Sequence, residues 1–106
     1  MEELDQIKWS SLLKLNKDST ILDVRTRQEN NIKHIEGSIL IDISDPSSFI
    51  EMIKKLDRTK KYFVYCASGV RSSNACKILD SLGFNFTYNL IGGIENWKGK
   101  IVSKDV

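Results

Sequence analysis

The run Tyr62-Phe63-Val64-Tyr65 constrains this chain more than any other segment. A strand that is apolar or aromatic at every position has no face to offer water and needs cover on both sides. Downstream, Ala75, Ile78, Leu79 and Leu82 stand at i, i+3, i+4 and i+7, one face of a helix, and Gly83 is placed to end it. Upstream, Phe49, Ile50, Met52, Ile53 and Leu56 repeat at helical spacing after Asp45-Pro46-Ser47. Thr20 to Val24, Ser38 to Ile43 and Phe86 to Leu90 read as further strands. Leu12, Leu13 and Leu15 behind Ser10-Ser11 read as a short helix with a hydroxyl cap, closed by Asn16 to Ser19, and Gly92-Gly93 opens a turn or short helix ending near Trp97. This alternation predicts an α/β domain, a mostly parallel sheet flanked by helices. Sites in such folds form at the carboxyl ends of strands, and the residue after Tyr65 is Cys66.

Length and charge narrow the function. With 106 residues, the chain is expected to be a single domain spanning residues 1–106. Sixteen basic against fourteen acidic residues leave a net charge of +2 with the signs mixed, which argues against a nucleic-acid partner. The longest apolar run, Tyr62 to Ala67, is far short of the roughly 20 residues that span a bilayer. The start, Met1-Glu2-Glu3-Leu4-Asp5, is acidic where a secretory signal is basic. The expectation is a soluble, cytoplasmic monomer or weak dimer. Cys66 and Cys76 stand ten apart and His34 is the only histidine, a set that suits neither a zinc site nor a Cys-x-x-Cys pair. No metal and no disulfide are expected, and a chain of this length has no room for a dedicated cofactor domain.

The loop after the central strand carries the chemistry. A free thiol is only about 3% ionised at neutral pH, and lowering its pKa by about two units takes roughly 2.7 kcal/mol of differential stabilisation. A helix beginning near Ser72 presents unpaired amides and a positive dipole end. A tight loop through Gly69 turns backbone N–H groups inward, since glycine accepts positive φ. Arg71 adds a permanent cation, Ala67 and Ser68 leave the sulfur approachable, and Ser72 and Ser73 are placed to cap the helix. Cys66, with Ala67, Ser68, Gly69, Val70, Arg71 and Ser72 around it, is the candidate nucleophile and its binding loop.

These residues resemble the rhodanese family, specifically its single-domain members. Cys66-Ala67-Ser68-Gly69-Val70-Arg71-Ser72 matches the Cys-x-x-Gly-x-Arg-Ser loop; Leu22-Asp23-Val24-Arg25, Glu29 and His34-Ile35-x-Gly37 resemble the upstream motifs; Ala75, Leu79, Gly83-Phe84, Gly92-Gly93 and Trp97 the downstream ones. The resemblance covers about residues 7–97, leaving a short C-terminal tail. It implies the rhodanese-like three-layer fold with a central, mostly parallel five-stranded sheet. It also implies sulfur transfer: Cys66 takes a sulfane sulfur as a persulfide and passes it to a thiol or cyanide acceptor, with thiosulfate or a persulfide as donor, or with a sulfur-relay protein as partner. A persulfide carrier or a non-catalytic binding module is the alternative. Phosphatases that share the fold carry one more residue between Cys and Arg than the four found here, Ala67 to Val70, so phosphate chemistry is disfavoured. Lys33, Ser38 and Asp42 depart from the family pattern at turns and packing positions. Uncharged Ala67 and Ser68 imply that thiosulfate is a mediocre donor.

Other conspicuous residues have structural readings. Cys76 shares a helix face with Ala75 and Leu79 and reads as packing rather than a resolving thiol. His34 reads as a hydrogen-bonded structural residue, and Trp9 and Trp97 as packing anchors. Asp23 and Arg25, at a strand end on the site-forming edge, either orient Arg71 and the loop or tie down the Glu29 segment.

Overall fold

The computed structural model describes residues 1–104. The chain runs β1 (Glu2–Leu4), α1 (Gln6–Leu15), β2 (Ser19–Asp23), α2 (Arg27–Ile32), β3 (His34–Ile35), β4 (Ser38–Leu40), α3 (Pro46–Ile53), β5 (Lys61–Tyr65), α4 (Val70–Ser81), β6 (Phe86–Leu90), a 3-10 turn at Ile94–Asn96, and β7 (Ile101–Val102). Five strands form one sheet in the order β1-β6-β5-β2-β4, with every neighbouring pair parallel. The doubly apolar run is therefore the central strand. Strands β3 and β7 make a separate antiparallel pair.

Two cores sandwich the sheet. On one face Leu22, Val24, Tyr62 and Val64 pack against Phe49 and Ile53 of α3 and Ala75, Cys76 and Leu79 of α4. On the other, Phe63, Tyr65, Tyr88 and Leu90 pack with Trp9 of α1 and with Ile94. Alternate residues of β5 thus point to opposite cores, as strand geometry requires. Trp9 anchors the second core: its indole N–H donates to the Tyr88 carbonyl at 3.1 Å, and its ring meets Phe63 and Trp97 edge-on at 5.6 and 5.3 Å.

The ordered structure extends past the 7–97 stretch on both sides, because β1 pairs with β6 and β7 pairs with β3. Helix α1 starts earlier than the Ser10-Ser11 cap predicts. Asp5 is the cap, accepting from the Lys8 amide at 2.9 Å, which places both serines inside the helix. Strand β4 stops at Leu40 rather than Ile43. Helix α2 has no apolar stripe to announce it. A reciprocal capping box holds its start instead, with Thr26 accepting from the Glu29 amide and Glu29 accepting from the Thr26 amide. Among the described residues, no helix is long and apolar enough to cross a membrane.

Candidate active site

Three parallel strands end beside one another at the carboxyl edge, and each delivers part of the site. From β5 the chain passes straight into Cys66, which is 1% exposed. Gly69 turns the chain with φ +106, and α4 starts immediately after it at Val70. The helix therefore begins two residues before the expected Ser72, and neither Ser72 nor Ser73 caps it. Gly69 is the cap and supplies no side-chain bond. Ser72 lies in the first turn, buried, with its hydroxyl 3.3 Å from the Cys66 sulfur.

The Gly69 amide donates to Cys66 Sγ at 3.0 Å. Burial pushes the Cys66 thiol up. The Ser72 hydroxyl and the amides of Ser72, Gly69 and Ser68 pull it down by more, leaving it below its ordinary 9.0. This is the nest of inward amides that the loop composition predicts. Cys76 shows the opposite environment: burial first, then the Asp80 carboxylate, push its thiol up to about 12. It packs in the core between α4 and the sheet.

Arg71 does not point into the cradle as a free cation. Its guanidinium makes a fork to Glu29, Nη1 to Oε1 and Nη2 to Oε2 at 2.8 Å each, tying the loop to α2. Hydrogen bonding from Arg71, then from Thr26, lowers the Glu29 carboxyl from 4.5 to about 2 against the opposing effect of burial. A carboxylate with a lowered folded-state pKa stabilises the fold above its unfolded value. The Arg71–Glu29 tie is therefore in full force above about pH 4.5 and is lost as the pH falls from there through about 2. Glu29→Gln should remove that component from an acid-unfolding curve followed by circular dichroism, and an unchanged curve would refute the tie.

Asp23 does not orient Arg71. Its two carboxylate oxygens take Arg25 Nε at 2.9 Å and Nη2 at 2.7 Å, and Oδ2 also accepts from Asn30 of α2 at 3.0 Å. Arg25 Nη2 reaches on to the Lys33 carbonyl at 2.7 Å. The pair ties down the segment containing Glu29, the second of the two readings its position allowed. His34 Nδ1 lies 2.8 Å from the Asn30 carbonyl at the start of β3, a structural place away from the sulfur cradle.

Two supports carry no signal in the loop motif itself. Asn89, buried on β6, accepts from the Ser72 hydroxyl with Oδ1, while its Nδ2 donates to Glu3 Oε2 at 2.7 Å and to the Gly69 carbonyl at 3.1 Å. Asn89 is one of two buried polar residues on that strand, and the other, Thr87, donates to Asp80 of α4. The second support is the Gly92-Gly93 turn. The Ile94 amide donates to the Cys66 carbonyl at 3.0 Å and the Glu95 amide to the Ala67 carbonyl at 3.1 Å. Gly93 has φ +62, and a Cβ there would lie 2.3 Å from the Ala67 oxygen, so only glycine fits.

The loop opens onto a groove of about 400 Å³ lined by Glu3, Ser68, Gly69, Val70, Ser73 and Asn89. A larger groove of about 480 Å³, lined by Asn16, Lys17, Asp18, Asp57 and Lys60, lies at the opposite end of the sheet and has no cysteine in its lining.

A parallel three-layer sheet with a cysteine in an amide cradle at the end of its central strand defines the class. The rhodanese-like domain model matches residues 8–100, and the chain belongs to that family. It is 32% identical to the putative sulfurtransferase YtwF of Bacillus subtilis, over 97% of this chain and 99% of that protein. It is also 32% identical to the thiosulfate sulfurtransferase GlpE of Coxiella burnetii, over 84% and 80% respectively. A tRNA uridine(34) hydroxylase of Pelagibacter ubique is 32% identical over 96% of this chain, but the chain spans only 34% of that protein's length. A rhodanese-related protein from Thermoplasma volcanium has the same fold, with TM-score 0.81, 34% identity, and coverage of 96% of this chain and 98% of that one.

Proposed function

We propose that this domain is a sulfurtransferase in which Cys66 is both nucleophile and carrier. The observation that carries the reading is the cradle: a buried sulfur that accepts from the Gly69 amide, lies 3.3 Å from the Ser72 hydroxyl, and is held below the ordinary thiol range by these groups and by the amides of Ser72 and Ser68. The Cys66 thiolate attacks the outer sulfur of a donor. With thiosulfate, a bond forms to Cys66 Sγ, the donor S–S bond breaks, and sulfite leaves with the bonding pair. A thiolate or cyanide then attacks the outer sulfur of the persulfide, and the electron pair of the broken bond returns to Cys66. No external oxidant or reductant enters. The inward amides are placed to stabilise the negative charge of the thiolate and persulfide states. Arg71, engaged with Glu29, acts by fixing the loop rather than by gripping the donor. The sulfurtransferase-named relatives, which this chain covers over most of their length, support the reading better than the hydroxylase does.

The test is intact mass after exposure to thiosulfate or to a small-molecule persulfide. The protein should gain one sulfur atom, about 32 Da, located by peptide mapping on Cys66, and the increment should vanish on addition of cyanide. The Cys76→Ser variant should load equally. If neither donor loads Cys66, or if an aryl phosphate is hydrolysed instead, the reading fails.

A further inference from the structure

The hydrogen bonds of Ser72 bear on how the Cys66 sulfur is held through the proposed sulfur transfer, on which the following rests. A serine hydroxyl has a single proton to donate. In the structure Ser72 Oγ touches two candidate partners, the Cys66 sulfur at 3.3 Å and Asn89 Oδ1. Asn89 is not free to turn its amide around. Its Nδ2 is committed to two acceptors, the Glu3 carboxylate at 2.7 Å and the Gly69 carbonyl at 3.1 Å. Neither can donate, so Oδ1 must face Ser72 as an acceptor. Asn89 is 1% exposed and Ser72 fully buried, so water does not relieve the choice.

We propose that Asn89 and Glu3 are positioning residues that make the Ser72 hydroxyl a two-position donor, turned to Asn89 when the Cys66 sulfur is a thiol or carries a second sulfur, and to the sulfur when it is a thiolate. In the thiol, Cys66 S–H donates to Ser72 Oγ and Ser72 donates to Asn89. Loss of the thiol proton invites Ser72 to turn, at the expense of the Asn89 bond. Once a sulfur is loaded, the charge moves to the outer atom and the hydroxyl returns to Asn89. Asn89 therefore restrains thiolate stabilisation and favours the charged-outward, loaded state.

Other charges near the loop are the Arg71–Glu29 pair joining α4 and α2, Lys77 on α4, the Asp23–Arg25 pair at the end of β2, and Glu95 on the 3-10 turn. A double-mutant cycle separates them from the network, because they are present in every variant. The readout is the ultraviolet absorbance of the Cys66 thiolate against pH, in a Cys76→Ser background. Ser72→Ala should raise the midpoint. Asn89→Ala should lower it by about one pH unit, the scale of one charge-assisted hydrogen bond freed. In the Ser72→Ala background, Asn89→Ala should leave the midpoint unmoved. Glu3→Gln, at an exposed position, is the companion variant should Asn89→Ala not fold. Part of its effect should likewise disappear with Ser72, whereas a purely coulombic effect persists in both backgrounds. Equal shifts with and without Ser72, for either variant, overturn the inference. The titration needs no sulfur donor, so its failure is distinct from failure of Cys66 to load, which instead overturns the sulfur-transfer reading.

Discussion

Cys66→Ser should leave a folded domain and, under the proposed mechanism, should lower sulfur transfer by about five orders of magnitude, the scale seen when a covalent nucleophile is removed. The substitution changes one buried atom and keeps the Gly69 amide a partner, so the folding midpoint should stay within a few degrees. The measurement is thiocyanate formed from thiosulfate and cyanide, alongside thermal unfolding of the same sample. Retention of more than a hundredth of the activity would move the nucleophile elsewhere. Cys76→Ser, at a site with a thiol pushed up to about 12, should change the rate little.

Asp23→Ala should be the most damaging change away from Cys66. Asp23 and Arg25 are 0% and 3% exposed, and the substitution strands a buried guanidinium with only the Lys33 carbonyl and the face of Tyr65, whose ring centre lies 5.5 Å away. Removing one partner from a buried pair costs about 3–5 kcal/mol, a large share of the stability of a small domain. The loss would be read from denaturant unfolding, and a value under about 1 kcal/mol would mean that the pair is not held as described. Asn30 of α2 loses an acceptor in the same step. The segment that presents Glu29 to Arg71 should then loosen, so activity should fall further than stability alone requires.

The parts of this fold that burial encodes could be read in the residues. Tyr62-Phe63-Val64-Tyr65 lies at the centre of the sheet, and Phe86–Leu90 has the bounds its composition predicts. The elements held by polar bonds could not. Arg27–Ile32 has no apolar period, Glu2–Leu4 is an acidic edge strand, and His34–Ile35 finds Ile101–Val102 only through tertiary pairing. The same division runs through the site. Cys66 and Gly69 follow from the local chemistry of a loop between strand and helix. Ser72 is legible as part of the loop, but its place inside the first turn is not, because the left-handed turn at Gly69 starts the helix sooner and turns the hydroxyl inward. Partners brought in from distant segments, Glu29 for Arg71 and Asn89 for Ser72, leave no periodic trace in a single sequence.

The contact of Gly93 with the backbone of Ala67 has a bearing on motion. Two carbonyls of the cysteine loop are held by amides of the 3-10 turn, with no room for a side chain between them. The loop and the turn therefore move as one block, braced on the ends of β5 and β6. Its conformational entropy is already surrendered on folding, so the arrival of a sulfur atom has little left to order. A loop of this kind behaves as a fixed mould rather than a closing lid, and under the proposed sulfur transfer any selectivity among donors would fall to what can reach the open groove beside Ser68 and Val70.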